Sequence, residues 1–182
     1  MKTTATNHTG RLAGLTLALL LSSSGILRAE DQPQGVPRKM AVTGNFDWSI
    51  VPPNLGPFIT PGTDGDLYLR HLPLVGNFTL AGKGVALDAK IHVDLNGELD
   101  GTGTGVVWGT TVITATIGGA KTIIFQGSGS ADTVGLVSVG TMTLSGRGPF
   151  ADSKLEFTFE EIGPGDSNTY NFQGSLTPAP RR

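Results

Sequence analysis

No cysteine occurs among the 182 residues. Disulfide staples, thiolate metal sites, cysteine nucleophiles and lipid attachment at an N-terminal cysteine are all excluded, so stability must come from the core alone. Histidine is scarce, with three in the chain. Metal sites usually take three or four ligands, and neither His71 nor His92 sits in a paired motif, so no metal and no other cofactor is expected. Charged residues make up 15% of the chain, and the only adjacent basic pairs are Arg38-Lys39 and Arg181-Arg182. Nucleic acid and anionic membranes demand clustered positive charge, so neither is expected as a partner.

Two further absences concern the N-terminus. No acid precedes Glu30, and the longest apolar run, Leu12 to Leu21, spans ten residues, about half of what a spanning helix needs. Lys2 and Arg11 stand before that run, and Ser22-Ser-Ser-Gly25 and Ala29 follow it. This order is that of a cleaved export signal over 1–29, which predicts a periplasmic or secreted protein with no membrane span after signal removal. Loss of Lys2, Arg11 and Arg28 leaves ten basic against fifteen acidic residues, a net charge of −5 on 153 residues.

Nucleotide and hydrolase signatures are missing too. Gly101-Thr-Gly-Thr-Gly105 is followed by no Lys-Ser/Thr, and no Gly-x-Gly-x-x-Gly or Gly-x-Ser-x-Gly spacing occurs; strand curvature is the better reading of those glycines. Asp94-Leu-Asn-Gly-Glu-Leu-Asp100 has the oxygen density of a calcium loop, but its glycine falls at the fourth position, not the sixth. It reads as a turn with surface acids. Asn77-Phe-Thr79 is a glycosylation sequon, meaningful only in a eukaryote.

What the chain does have is a period of two. Residues 30–39 read as a flexible lead-in, 40–177 as a barrel domain and 178–182 as a tail. The clearest strand is Val85 to Leu95, with Val85, Leu87, Ala89, Ile91, Val93 and Leu95 on one face and Asp88, Lys90, His92 and Asp94 on the other. Asn96-Gly97 follows and predicts a tight hairpin turn. Further strands are expected over 40–50, 99–108, 110–117, 121–128, 136–144, 154–160 and 169–176. No useful window has helical period after the leader. Short connections imply a meander, and glycines such as Gly127, Gly140 and Gly174 inside strands suit a sheet that coils shut. The expected fold is all-β, an antiparallel meander β-barrel of about eight strands. Residues 51–65, with four prolines, break the pattern and predict a long loop.

Candidate site residues adjoin that loop. If Asp66 to His71 is a strand, Asp66, Tyr68 and Arg70 share one face, while His71 points the other way with Leu67 and Leu69. Tyr68, Arg70 and His71, together with Trp108 as a cavity-lining aromatic, are the candidate ligand-binding residues; no catalytic residue is assigned. Trp48 is a second tryptophan suited to core or cavity wall.

Thr141-Met-Thr-Leu-Ser-Gly-Arg-Gly-Pro-Phe-Ala-Asp-Ser-Lys-Leu-Glu-Phe157 resembles the strand, Gly-x-Gly-x-Phe-Ala turn and strand of allene oxide cyclase-like and dirigent-like barrels. Pro149 departs from the residue usual before the phenylalanine. The resemblance implies eight antiparallel strands around an apolar cavity, an activity of the isomerase or cyclase type or the steering of radical coupling, and a homo-oligomer. It assigns no catalytic carboxylate, tyrosine or arginine to a position in this chain. Three functions follow in order: a barrel that binds a small apolar molecule, an isomerase or cyclase using the same cavity, and a structural or surface-interaction protein with a filled barrel.

Overall fold

The computed structural model describes residues 38–162 and 168–180. The expected export signal over 1–29 and the glycine-rich turn at 163–166 lie outside the described residues. Ten strands follow in chain order: β1 (Met40–Asp47), β2 (Ser49–Ile50), β3 (Ile59–Pro61), β4 (Leu67–Gly82), β5 (Val85–Leu99), β6 (Gly105–Ile117), β7 (Ala120–Val134), β8 (Val137–Gly146), β9 (Lys154–Glu161) and β10 (Thr169–Thr177). The described residues contain two short 3-10 turns, Thr63–Gly65 and Gly148–Phe150, and no α-helix.

Each strand from β4 to β10 pairs antiparallel with the next. β1 then pairs with β10 on one side and β4 on the other, which closes eight strands into a barrel. Gly44 sits at the closure, opposite both Phe172 and Leu80. A Cβ there would run into the Thr79 carbonyl and the Phe172 ring, so the strands can approach only at a glycine.

The period of two has its expected consequence. Ile91 and Val93 are buried, Asp88, Lys90 and Asp94 are exposed, and Leu155, Phe157 and Phe159 are buried on alternate positions of β9. The inward side chains around the β1 entrance are large. Phe78 stacks on Phe172 at 5.2 Å, Phe172 meets Phe157 at 4.4 Å, and Ile91, Ile113, Leu144 and Leu155 complete the packing at 0% exposure. At the same end, Ile124 and Phe125 are buried in succession because the β6–β7 register shifts between Ile113 and Thr114. The Ile124 carbonyl accepts the Arg147 N–H at 2.8 Å, and Phe150 lies 4.9 Å from Phe125. The Gly146 to Ala151 turn thus plugs this end.

Two expectations need correction. Asn96-Gly97 is no hairpin turn: β5 runs through it, with Asn96 opposite Trp108 and Gly97 opposite Val107. The pair serves a bulge in β4, where the register to β5 shifts between Leu69 and Leu72. Asn96 Oδ1 accepts the N–H of the bulged His71 at 3.1 Å, and a Cβ on Gly97 would press on Val107 and Leu69. The real turn is 100–104, so Gly101 and Gly103 do not curve a strand. There Asp100 Oδ1 accepts the N–H groups of Thr102 and Thr104, and Gly103 takes φ +77°. These hydrogen bonds, led by that from the Thr102 hydroxyl, hold the Asp100 carboxyl below its ordinary range.

The proline-rich segment is not wholly a loop. β3 pairs with β4 at Leu67 to Leu69, while Leu55 and Phe58 pack against the core; just before the segment, β2 closes the strand expected over 40–50 and pairs with β4 at Leu74 and Val75.

Candidate functional site

The end of the barrel away from the aromatic plug is hollow. A cavity of about 410 Å³ lies there, walled by leucines and valines of β4, β5 and β6, among them Leu72, Leu74, Val93, Leu95 and Val107. Phe159, Met142 and Tyr170 also line it, with Trp48, Ile50 and Ile59 from the β1–β3 segment. It reaches the surface, since lining residues Ile50 and Leu136 are about half exposed, at 48% and 55%. The void exists because the inward positions of β6, β7 and β8 carry small residues here: Gly109, Thr111, Gly129, Ala131, Thr133 and Ser138. Leu136 holds a left-handed backbone at φ +71° in the β7–β8 turn, with its N–H donated to the Gly103 carbonyl at 3.1 Å.

One side of the cavity is polar. Thr133 and Ser138, 4% and 8% exposed, join through their hydroxyls at 3.1 Å. Tyr170 lies beside Ser138, Glu161 and Trp48, and burial foremost, then the Glu161 charge, pushes its pKa well above the ordinary range for a phenol. Glu161 is held in place by two backbone N–H groups, those of Ser138 at 3.2 Å and Asn168 at 3.3 Å. The backbone carbonyl of Asn168 in turn accepts the backbone N–H of Trp48 at 3.2 Å. A second weak contact faces the void: the buried Thr111 hydroxyl lies 3.7 Å from Met142 Sδ.

The structure separates the residues that sequence had grouped. Tyr68 and Arg70 share a face as expected, but it is the outer one. Arg70 stacks over the Tyr68 ring at 5.6 Å, bonds the carbonyls of Leu69 and Gly97, and pairs with Glu98 at 3.3 Å. His71 does not face inward with Leu67 and Leu69. The bulge inserts an extra residue at φ +53°, so the histidine emerges beside Asp94 at 3.1 Å, with its side chain 77% exposed, and Leu72 takes the inward place. Trp108 borders both the cavity and a shallow outer groove that also touches His71, Asp94 and Asn96; it is 41% exposed. His92 lies on the outer wall, and burial, then Lys121 and Lys90, lowers its pKa. Among the described residues no three His, Asp or Glu side chains gather as a metal site would require.

Sequence reading missed Thr133, Ser138, Glu161 and Tyr170. Tyr170, Phe172 and Leu176 occupy even positions of β10 and are all buried, and that spacing is the one available signal. The partners come from β7, β8 and β9, and nothing in their local sequence marks them. Comparison with family models, with curated proteins and with solved structures gave no match.

Proposed function

We propose that this chain is an exported barrel that binds a small apolar molecule in the hollow end. One observation carries the reading: a surface-connected void of about 410 Å³, walled mainly by Leu, Val and aromatic side chains with a small polar patch. That size and that mixture are typical of ligand pockets. Apolar walls of this kind offer dispersion contacts to a bound molecule. The likeness of residues 141–157 to allene oxide cyclase-like and dirigent-like barrels supports the same reading, and the leader-like N-terminus supports export.

An isomerase or cyclase reading is second. The observation in its favour is Tyr170, a phenol kept protonated by burial at the cavity wall. Burial and the Glu161 charge hold that proton on the phenol, which favours binding over proton transfer to a ligand. The exposed apolar residues Val106, Val134 and Val139 around the β7–β8 hairpin are the basis for the third, surface-interaction reading.

Titration of the purified protein with N-phenyl-1-naphthylamine tests the first reading. Saturable, one-to-one fluorescence enhancement with a Kd on the order of 10 µM is expected, together with a rise in Tm by mass action. Absence of saturable binding by this probe and by a panel of apolar molecules defeats it.

A further inference from the structure

On the outer wall, beside the β4 bulge, the sheet carries a shallow groove of about 330 Å³. His71, Asp94, Asn96, Trp108, Thr110 and Ser128 line it, with Gly109 and Gly129 as a floor of bare backbone. Register sets these side chains in two rows. Asp94, Thr110 and Ser128 stand opposite one another on β5, β6 and β7, and Asn96 stands opposite Trp108 one pleat further along. Neighbouring strands lie about 4.8 Å apart, so the polar row spans about 10 Å with the indole beside it. The groove exists because Thr110 and Ser128 are small next to Trp108, whose side chain is exposed.

The bulge completes the site. It turns His71 outward at φ +53°, where Asn96 Oδ1 holds its backbone N–H at 3.1 Å and the two Asp94 oxygens lie 3.1 and 3.2 Å from Nδ1. A carboxylate has about four lone-pair positions, so Asp94 can accept further hydrogen bonds. Among the described residues, no protein group bonds the Thr110 or Ser128 hydroxyl.

An exposed indole flanked by hydroxyl, carboxylate and amide groups suits a molecule with an apolar face and hydroxyls around its rim. A pyranose ring is such a molecule: its C–H bonds form the face, and its hydroxyls both donate and accept. A wholly apolar ligand would strip water from Asp94 and the hydroxyls without replacing their hydrogen bonds. No Lys or Arg is among the described lining residues to pair with a phosphate or sulfate. We propose that this groove is a second binding site, separate from the hollow end, for a neutral saccharide. One pyranose ring stacks on Trp108 while its hydroxyls bond Asp94, Thr110 and Ser128.

The chain has two tryptophans, Trp48 and Trp108, so two indole N–H signals are expected by NMR, and Trp108→Phe assigns them. Cellotetraose titrated into the full chain should shift the Trp108 signal saturably, with a Kd on the order of 1 mM. It should leave the affinity for N-phenyl-1-naphthylamine unchanged. Trp108→Ala should weaken binding by about tenfold or more, read from the Asp94 and Thr110 amide signals. Ser128→Val, which suits an exposed strand position, should weaken it by about threefold and decides the matter even if Trp108→Ala does not fold. Absence of a saturable shift, displacement of the naphthylamine, or unchanged affinity in the folded variants overturns the proposal. A Trp108 shift that follows protein concentration without sugar also overturns it, and makes the groove a contact between copies of the chain. None of these outcomes bears on naphthylamine binding by the protein alone, which tests the cavity reading separately.

Discussion

The two ends of the barrel are made from the same eight strands and are filled in opposite ways. Around the β1 entrance, Phe78, Phe157 and Phe172 meet across the interior with Ile91, Leu144 and Leu155. At the other end the inward positions of β6 to β8 are Gly109, Thr111, Gly129, Ala131, Thr133 and Ser138, and a void remains. Strand number sets the barrel's width. Inward side-chain volume then decides whether a given level is a core or a container. The strand β5 crosses the boundary within one step of its alternation: Ile91 is packed at 0% exposure, while Val93 faces the cavity.

The comparison breaks most readily at the packed end. Phe78→Ala should cost about 3–5 kcal/mol, because the ring is fully buried between Phe172 and Phe157; urea unfolding measures it. A cost under about 1 kcal/mol would mean that this end is not close-packed.

A sharper contrast comes from enlarging neighbours on β5. Ile91→Phe should destabilise by about 1–3 kcal/mol through overpacking. Val93→Phe has a void to enter, so it should change stability by less than about 1 kcal/mol and abolish probe binding. Equal stability losses in urea would show that the two levels do not differ.

Tyr170 at the cavity wall makes a pH-dependent prediction. Its pKa is raised in the folded state, so above about pH 10 the unfolded chain releases a proton that the folded chain keeps. The Tyr170 contribution is therefore fully present below that pH and lost as pH rises, at up to about 1.4 kcal/mol per pH unit. Comparison of wild type with Tyr170→Phe in urea at pH 9 and pH 11 should show the steeper loss only in the wild type.

The smallest effect is expected on the outer wall. The Arg70–Glu98 pair is solvent-exposed, with side chains at 45% and 57%. Arg70→Ala should shift stability by no more than about 0.5 kcal/mol and leave probe affinity unchanged. A tenfold loss of affinity would return Arg70 to the ligand site.

The class of fold was legible because a strand with one wet and one dry face writes its period directly into the sequence, as Val85 to Leu95 does. The glycines inside strands signalled closure for the same local reason, seen at Gly44, where the backbone of β4 leaves no room for a Cβ. Asn96-Gly97 misled because the same dipeptide suits a turn and also a tight position opposite a bulge, and only the partner strand distinguishes them. His71 was placed on the wrong face because alternation counts residues and a bulge adds one.

Composition and periodicity determined that this chain forms an antiparallel barrel without disulfides, since both are carried by each residue and its near neighbours. Tertiary structure alone decided where the barrel is hollow and which polar groups face the void. Thr133, Ser138 and Tyr170 of the cavity wall come from three strands, with Glu161 of a fourth behind them, and they meet only once β7, β8, β9 and β10 pair side by side. A void is a sum over all inward side chains at one level, and no single segment carries that sum.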